Sequence, residues 1–296
     1  MKTGQVSLIG KPNVGKSSLI NSIMDQKLLI VSDKPQTTWH RINCIYTEGD
    51  ECQIIFSDTP GIHKPFSKVN SYMLRAAKGA LEGADLILWL FDAQRGVTKA
   101  EDFVFEAVKN SQVPIFAVIN KIDLVSKESL EKLQGEILDK YSIKNSFFTS
   151  ALENEGTEEL MKEIKENLEE GPMFYDADTL IDKPSRFIVS EIIREKIFRY
   201  TSEEIPYSCA VTVEHFEMEK NGKLYIRAEI YVERMSQKGM IIGKGGSFIK
   251  KIRLTSKKDI EYMFDTKTDL ELFVKVKKNW REKDSIIGGE LYFDED

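Results

Sequence analysis

Residues 5–24 read QVSLIGKPNVGKSSLINSIM. An apolar run, Gln5–Ile9, enters the octet Gly10–Lys11–Pro12–Asn13–Val14–Gly15–Lys16–Ser17, and an amphipathic stretch, Lys16–Met24, leaves it. The octet fits G-x-x-x-x-G-K-[ST]. Its place between a strand and a helix is the context that this motif requires. Glycines let backbone N–H groups converge on phosphate oxygens, and the helix N-terminus adds positive potential. Gly10, Asn13, Val14, Gly15, Lys16, Ser17 and Ser18 are therefore candidate phosphate contacts. Lys16 is placed to bridge β- and γ-phosphates, and Ser17 to offer its hydroxyl to Mg²⁺.

Beyond the octet, short apolar runs alternate with longer amphipathic ones. Strands are expected at Ile42–Tyr46, Cys52–Ser57, Leu86–Asp92, Ile115–Asn120 and Ser146–Thr149. Helices are expected at Val69–Leu81, Lys99–Asn110, Lys127–Lys140 and Thr157–Glu169. This is an α/β domain with a mostly parallel sheet, spanning 1–170. Glu170–Gly171–Pro172 breaks the pattern, and the polar segment 171–184 reads as an interdomain linker. A second domain, 185–296, is α+β. It begins with a helix, Ser185–Tyr200, whose Phe187, Ile188, Ile192 and Ile193 face one side. Strands Cys209–Met218 and Leu224–Val232 flank an Asn221–Gly222 turn, a strong hairpin signal. A basic Gly-rich segment, a helix near Phe248–Met263 and a strand near Leu270–Lys277 follow.

A length of 296 residues fits two such domains. Three cysteines, Cys44, Cys52 and Cys209, exclude a disulfide scaffold, and their lack of C-x-x-C spacing argues against zinc. The strand-like run at Gln5 leaves no room for a signal peptide, and the longest apolar stretch, Leu86–Phe91, is too short to span a bilayer. A cytoplasmic protein is expected. Net charge is −6, yet residues 238–283 carry 13 basic and 6 acidic side chains, leaving −13 on the remainder. A basic segment on an acidic protein points to a local anionic partner.

Asn120–Lys121–Ile122–Asp123 ends the fifth expected strand, where open α/β sheets bind ligands. The Asp123 carboxylate can accept from guanine N1–H and the exocyclic amine. Adenine offers neither donor, so a buried carboxylate left unpaired would reject it. Lys121 would lie over the base, Asn120 would bond the base edge and the octet backbone, and an N–H of Ser150–Ala151–Leu152 would meet guanine O6. Asp58–Thr59–Pro60–Gly61 ends the third strand. Asp58 would hold Mg²⁺ through a water, and the Gly61 N–H would touch the γ-phosphate. Of Thr37 and Thr38, Thr38 is favoured as the Mg²⁺ ligand, with Thr37 the alternative. Loops 30–41 and 60–70 would be ordered by the γ-phosphate.

These five motifs, in order over residues 10–152, resemble the translation-factor class of GTPases. The resemblance implies in-line attack of water on the γ-phosphate, with Lys16, Thr38, Gly61 and Asn13 as catalytic candidates. Ile62 stands where Ras-type enzymes carry the Gln that orients water, so slow intrinsic hydrolysis is expected. Related GTPases with Asn at the position of Asn13 coordinate K⁺ with it, which implies K⁺ stimulation.

Met240–Ile252 resembles a type II KH signature, with the G-x-x-G loop Gly243–Lys244–Gly245–Gly246 between two helical pieces. Such a loop clamps about four nucleotides of single strand. Lys244, Lys250, Lys251 and Arg253 would meet phosphates. Ile241, Ile242, Ile249 and Ile252 would line an apolar groove or anchor the fold. One GTPase domain, a short linker and one KH domain together resemble the Era family of ribosome-assembly GTPases. That resemblance implies binding near the 3′ end of small-subunit ribosomal RNA during 30S maturation and peripheral contact with the inner membrane; a monomer is expected. Trp39 departs from the family, whose members usually carry Arg there. Competing readings are a tRNA-modification or large-subunit GTPase, disfavoured by the single octet and by the lack of a cysteine after Cys209; a binding switch without useful turnover; and an ATPase, disfavoured by Asp123.

Overall fold

The computed structural model describes residues 1–63, 67–202, 204–283, 286–287 and 291. Part of the second expected switch loop, residues 64–66, lies outside them. The chain divides into two units, one of residues 1–66 and 70–182 and one of residues 183–296 together with the short stretch 67–69.

The first unit contains β1 (Lys2–Gly10), α1 (Lys16–Ile23), β2 (Ile42–Glu48), β3 (Cys52–Asp58), α2 (Lys68–Glu82), β4 (Leu86–Asp92) and α3 (Lys99–Val108). β5 (Ile115–Asn120), α4 (Lys127–Tyr141), β6 (Asn145–Thr149), α5 (Thr157–Asn167) and β7 (Glu169–Glu170) complete it. The sheet order is β2-β3-β1-β4-β5-β6. All neighbours are parallel except β2, antiparallel to β3. β3 and β4 are buried along their whole length, which is why they read as continuous apolar runs rather than alternating ones. The chain reverses its direction of travel across the sheet at β1, so the octet opens at the topological switch point.

Two expectations change here. The helix expected to run to Glu169 stops at Asn167, and Glu169–Glu170 pairs antiparallel with Lys2–Thr3. The expected linker is not a free tether. As far as Asp182 it belongs to the first unit, where Ile181 bridges to Cys44 on the outer edge of β2.

The second unit runs α6 (Ser185–Tyr200), β8 (Ala210–Met218), β9 (Leu224–Val232), α7 (Met235–Ile242), α8 (Ser247–Met263) and β10 (Thr268–Val276). Its sheet order is β10-β9-β8, with β8 antiparallel and β10 parallel to β9. The Asn221–Gly222 hairpin forms as expected, with Gly222 at φ 79°. α6 is not amphipathic. Val189, Ile192, Ile193 and Ile197 join the core, while Glu191, Arg194, Glu195 and Lys196 are also buried. These charges are tolerated because they pair: Arg194 donates to both Glu191 oxygens at 2.6 Å, and Lys196 bonds Glu195 and Asp259.

Candidate nucleotide and RNA sites

The octet turns sharply into α1. Gly15, at φ 100°, caps that helix without any side-chain hydrogen bond, so the first-turn N–H groups face an anion-binding hollow. A side chain at Gly15 would collide with the Asn120 amide, so the close approach of the two motifs needs glycine there. Lys16 Nζ donates to the carbonyls of Lys11 (3.1 Å) and Gly10 (3.5 Å). Burial lowers its pKa to about 8, and the Asp58 charge opposes that shift.

Three oxygens converge beside it. Ser17 Oγ donates to Asp58 Oδ2 at 2.6 Å and lies 3.2 Å from Thr38 Oγ1, which is 3.3 Å from the same carboxylate oxygen. Thr37 instead donates to the Lys34 carbonyl at 2.8 Å. Of the two threonines, Thr38 is the one whose hydroxyl meets Asp58. Burial raises the Asp58 carboxyl above the usual range, while Lys16 and the two hydroxyls pull it back. Its Oδ1 is buried without a hydrogen bond. A buried carboxylate with one oxygen held by two hydroxyls and the other unsatisfied, together with those hydroxyls, is a donor set that suits a hard divalent cation such as Mg²⁺. Ser18, Asn13, Gln36 and Gly61 line the same cleft.

Of the remaining Asp58–Gly61 residues, Thr59 does not face the cleft. Its hydroxyl donates to Leu8 O at 2.6 Å, and both Thr59 and Pro60 are buried. They hold the loop rather than a phosphate. Gly61 packs against Pro12, and the Ile62 N–H reaches Gly10 O at 3.0 Å. The Ile62 side chain is part of the core, so it cannot orient water. Asn13, at φ 65°, donates through Nδ2 to the Asp33 carbonyl at 2.5 Å. Trp39 is buried, and its indole N–H donates to Gln36 O at 3.0 Å. It shapes the 30–41 loop from inside, a task an arginine could not perform without burying charge.

At the base-reading end, Asn120 Nδ2 donates to Val14 O at 2.9 Å, while its Oδ1 accepts from Thr149 Oγ1 (3.2 Å) and from the Ala151 N–H (3.1 Å). Asn120 is thus a strut between two loops, with one Nδ2 hydrogen left for the base edge. The Ala151 N–H must leave or share this strut to meet O6. Lys121 Nζ lies 2.7 Å from both Asn13 O and Asp92 Oδ2. Ser150 Oγ donates to Asp123 Oδ1 at 2.6 Å and orients the carboxylate. Asp123 is exposed, contrary to the buried carboxylate expected. Its selectivity must arise when a bound base covers it. Leu152 is 82% exposed and holds nothing.

In the second unit, Gly243, Gly245 and Gly246 all have positive φ, which lets the loop turn tightly between α7 and α8. Lys244, Lys250, Lys251 and Arg253 are exposed. Lys251 Nζ also sits 4.0 Å over the Tyr200 ring. Ile241, expected as an RNA contact, is fully buried in the core, as is Ile252. Ile242 and Ile249 are only partly buried against that core and remain available to bases.

Comparisons with known proteins agree with this geometry. A family described as "50S ribosome-binding GTPase" matches residues 5–121, and a KH domain family matches residues 204–281. The chain is 55% identical over 297 residues to GTPase Era of Thermosipho melanesiensis, covering 100% of this chain and 99% of that protein. The chain belongs to the Era family of GTPases. Era from Thermotoga maritima is 49% identical, again over 100% and 99% of the two chains. The crystal structure of an Era in complex with MgGDPNP and nucleotides 1506–1542 of 16S ribosomal RNA superposes with a TM-score of 0.95 at 36% identity, covering 97% and 98%. A single-residue variant of Aquifex aeolicus Era bound to GDP·AlF4⁻ gives 0.94 at 36% identity, with the same coverage.

Within this Era-family chain, the structure adds residues that the motifs do not name. Asp92 holds Lys121 and accepts from the Gln94 and Arg95 N–H groups at 3.0 and 3.2 Å. Its signal was an acid closing the apolar run Leu86–Phe91. Glu101 forms a buried ion pair with Lys11 at 2.5 Å while accepting from Thr98 N–H and Oγ1 at 2.7 Å. Thr98–Glu101 has capping-box spacing, but nothing local pointed to Lys11.

Proposed function

We propose that this protein is a GTP-hydrolysing switch that binds the 3′ end of small-subunit ribosomal RNA through its KH unit and assists 30S maturation. As an Era-family member it is a GTPase with a KH RNA-binding domain. The observation that carries the reading is the convergence of Ser17, Thr38 and Asp58 beside Lys16, in the same chain as an exposed basic G-x-x-G loop.

Ser17, Thr38 and Asp58 would hold Mg²⁺, the last through a water. When bound, the ion neutralises charge on the β- and γ-phosphate oxygens. Lys16 exchanges its carbonyl partners for those oxygens. The Gly61 N–H, held against Pro12, meets the γ-phosphate, and Thr38 closes the 30–41 loop over it. No side chain of Ile62 reaches the attacking water, so intrinsic turnover is slow. Asn13, whose Nδ2 now donates to the Asp33 carbonyl, would turn its Oδ1 to K⁺ and free that carbonyl as a second oxygen. Faster single-turnover hydrolysis in KCl than in NaCl tests that role; equal rates reject it.

The protein acts as a monomer in the cytoplasm. All three cysteines are buried and unpaired, in keeping with a reducing compartment. Among the described residues no helix is long and apolar enough to cross a membrane. A peripheral contact with the inner membrane rests on the family resemblance alone.

GTP binding gates the RNA clamp. Coupling is reciprocal, so RNA must tighten GTP binding by the factor by which GTP tightens RNA binding. RNA affinity measured with a GTP analogue and with GDP tests this. Single-turnover hydrolysis with and without RNA separates the enzyme from a switch without useful turnover.

A further inference from the structure

β2 is an edge strand, and the segment before Lys183 lies along it through a single antiparallel bridge, Cys44–Ile181. The Ile45 N–H donates to Leu180 O at 3.0 Å, and the Asp182 N–H donates to Asn43 O at 3.1 Å. Two buried amides staple this strap. Gln53 Oε1 accepts from the Phe174 and Tyr175 N–H groups at 2.7 and 3.0 Å, and its Nε2 donates to Tyr175 O at 2.9 Å. Asn43 donates through its backbone N–H and Nδ2 to the two oxygens of Asp182, at 3.0 and 2.7 Å.

Asn43 also faces the nucleotide side. Its Oδ1 accepts from Ser57 Oγ at 2.6 Å and from Arg41 Nε at 3.3 Å. Ser57 adjoins Asp58, and Asp58 is the register partner of Ile42, the residue before Asn43. Burial pushes the Cys44 thiol pKa up, and the nearby Asp58 and Asp182 charges raise it further. A side-chain path runs from Ser57 through Asn43 to Asp182, and the backbone of β3 joins Ser57 to Asp58 and so to the Thr38–Asp58 cluster. The next residue, Lys183, begins the RNA-binding unit.

We infer that Asn43 and Asp182 form a clasp that carries the state of the Thr38–Asp58 cluster to the chain entering the RNA-binding unit. They are positioning residues for RNA binding and touch neither nucleotide nor RNA. This rests on the gated-clamp reading above. Ordering of the 30–41 loop sets the start of β2, the start of β2 sets Asn43, and Asn43 sets the exit of the strap. A free tether of the same length would transmit none of this.

The test uses the full chain and an RNA corresponding to nucleotides 1506–1542 of 16S ribosomal RNA. RNA affinity is measured with a GTP analogue and with GDP, for wild type, Asp182→Ala, Asn43→Asp and the exchanged pair Asn43→Asp/Asp182→Asn. Wild type is expected to show a ratio of at least about fivefold between the two states. Asp182→Ala and Asn43→Asp bring the ratio below about twofold, and the exchanged pair restores it, because Asn at 182 can donate to Asp at 43. A purely structural role would lower both RNA affinities together and leave the ratio intact. Hydrogen exchange at the Ile45 and Asp182 amides provides a second measurement on unmutated protein, with protection differing between nucleotide states. A wild-type ratio retained in Asp182→Ala, or identical protection in both states, overturns the clasp alone. A wild-type ratio of one overturns the gated clamp itself, and the clasp with it.

Discussion

Nucleotide binding should take up protons at alkaline pH, and Lys16 sets how many. Without a phosphate partner its ammonium is buried against two carbonyls and titrates at about 8. A triphosphate against Nζ favours the charged form, so the complex keeps Lys16 protonated. The free protein carries the Lys16 proton about 0.9 of the time at pH 7, about half the time at pH 8 and about 0.1 of the time at pH 9. Uptake on binding is the complement: about 0.1, 0.5 and 0.9 proton. Affinity falls as pH rises through 8, approaching tenfold, about 1.4 kcal/mol, per further unit. Isothermal calorimetry in buffer pairs of different ionisation enthalpy measures the uptake directly. In Lys16→Arg the side chain stays charged throughout, so this pH-dependent part should vanish. The same uptake at pH 7 and pH 9, or undiminished uptake in Lys16→Arg, would mean that Lys16 does not change its protonation on binding.

Gly61→Ala puts a Cβ 2.6–2.8 Å from Pro12 N, Cγ and Cα, so the loop must withdraw from the octet. Single-turnover hydrolysis should fall by about 100-fold with GDP binding largely kept; hydrolysis near the wild-type rate would contradict the placement. Glu101→Gln leaves the Lys11 ammonium buried and unpaired. It should cost about 3 kcal/mol, with Lys11→Met added to it recovering most of the loss in a urea-denaturation cycle. Changing Lys244 and Lys250 together to Gln should weaken RNA binding and make its log–log salt dependence shallower by about 1.4; an unchanged slope would place the RNA elsewhere.

The parts of this molecule that the sequence announced are those whose chemistry is local. Gly10–Ser17 carries its own turn, helix start and cation within eight residues, and Asn120–Asp123 is recognisable because it closes a buried strand. Thr38 could not be separated from Thr37 by spacing. Only the fold reveals that Thr37 turns back to Lys34 while Thr38 meets Asp58. Asp123 was expected to be buried because unpaired buried carboxylates discriminate strongly, but in the free protein Ser150 satisfies one oxygen and water has access to the rest. Ile241 looked like a groove residue from its neighbours in sequence, whereas helical periodicity turns it inward with Ile252. The strap was illegible for a different reason. Its Gly, Pro and Asp residues signal irregular backbone, and they do not report that the backbone groups of 180–182 are paired with an edge strand more than a hundred residues away. The same holds for Lys11–Glu101 and Lys121–Asp92, long-range pairs with no periodic trace.

A triphosphate on the Gly10–Ser17 turn, with Asp123 selecting guanine, is the arrangement on which every other assignment depends. The decisive measurement is the affinity of the purified protein for GTP, ATP and XTP in magnesium buffer, in wild type and in Asp123→Asn. Wild type is expected to bind GTP at least about 1,000-fold more tightly than ATP. Asp123→Asn is expected to lose GTP and gain XTP, whose C2 carbonyl accepts where guanine donates. Comparable retention of ATP and GTP by wild type, or GTP affinity unaffected by Asp123→Asn, would contradict that arrangement.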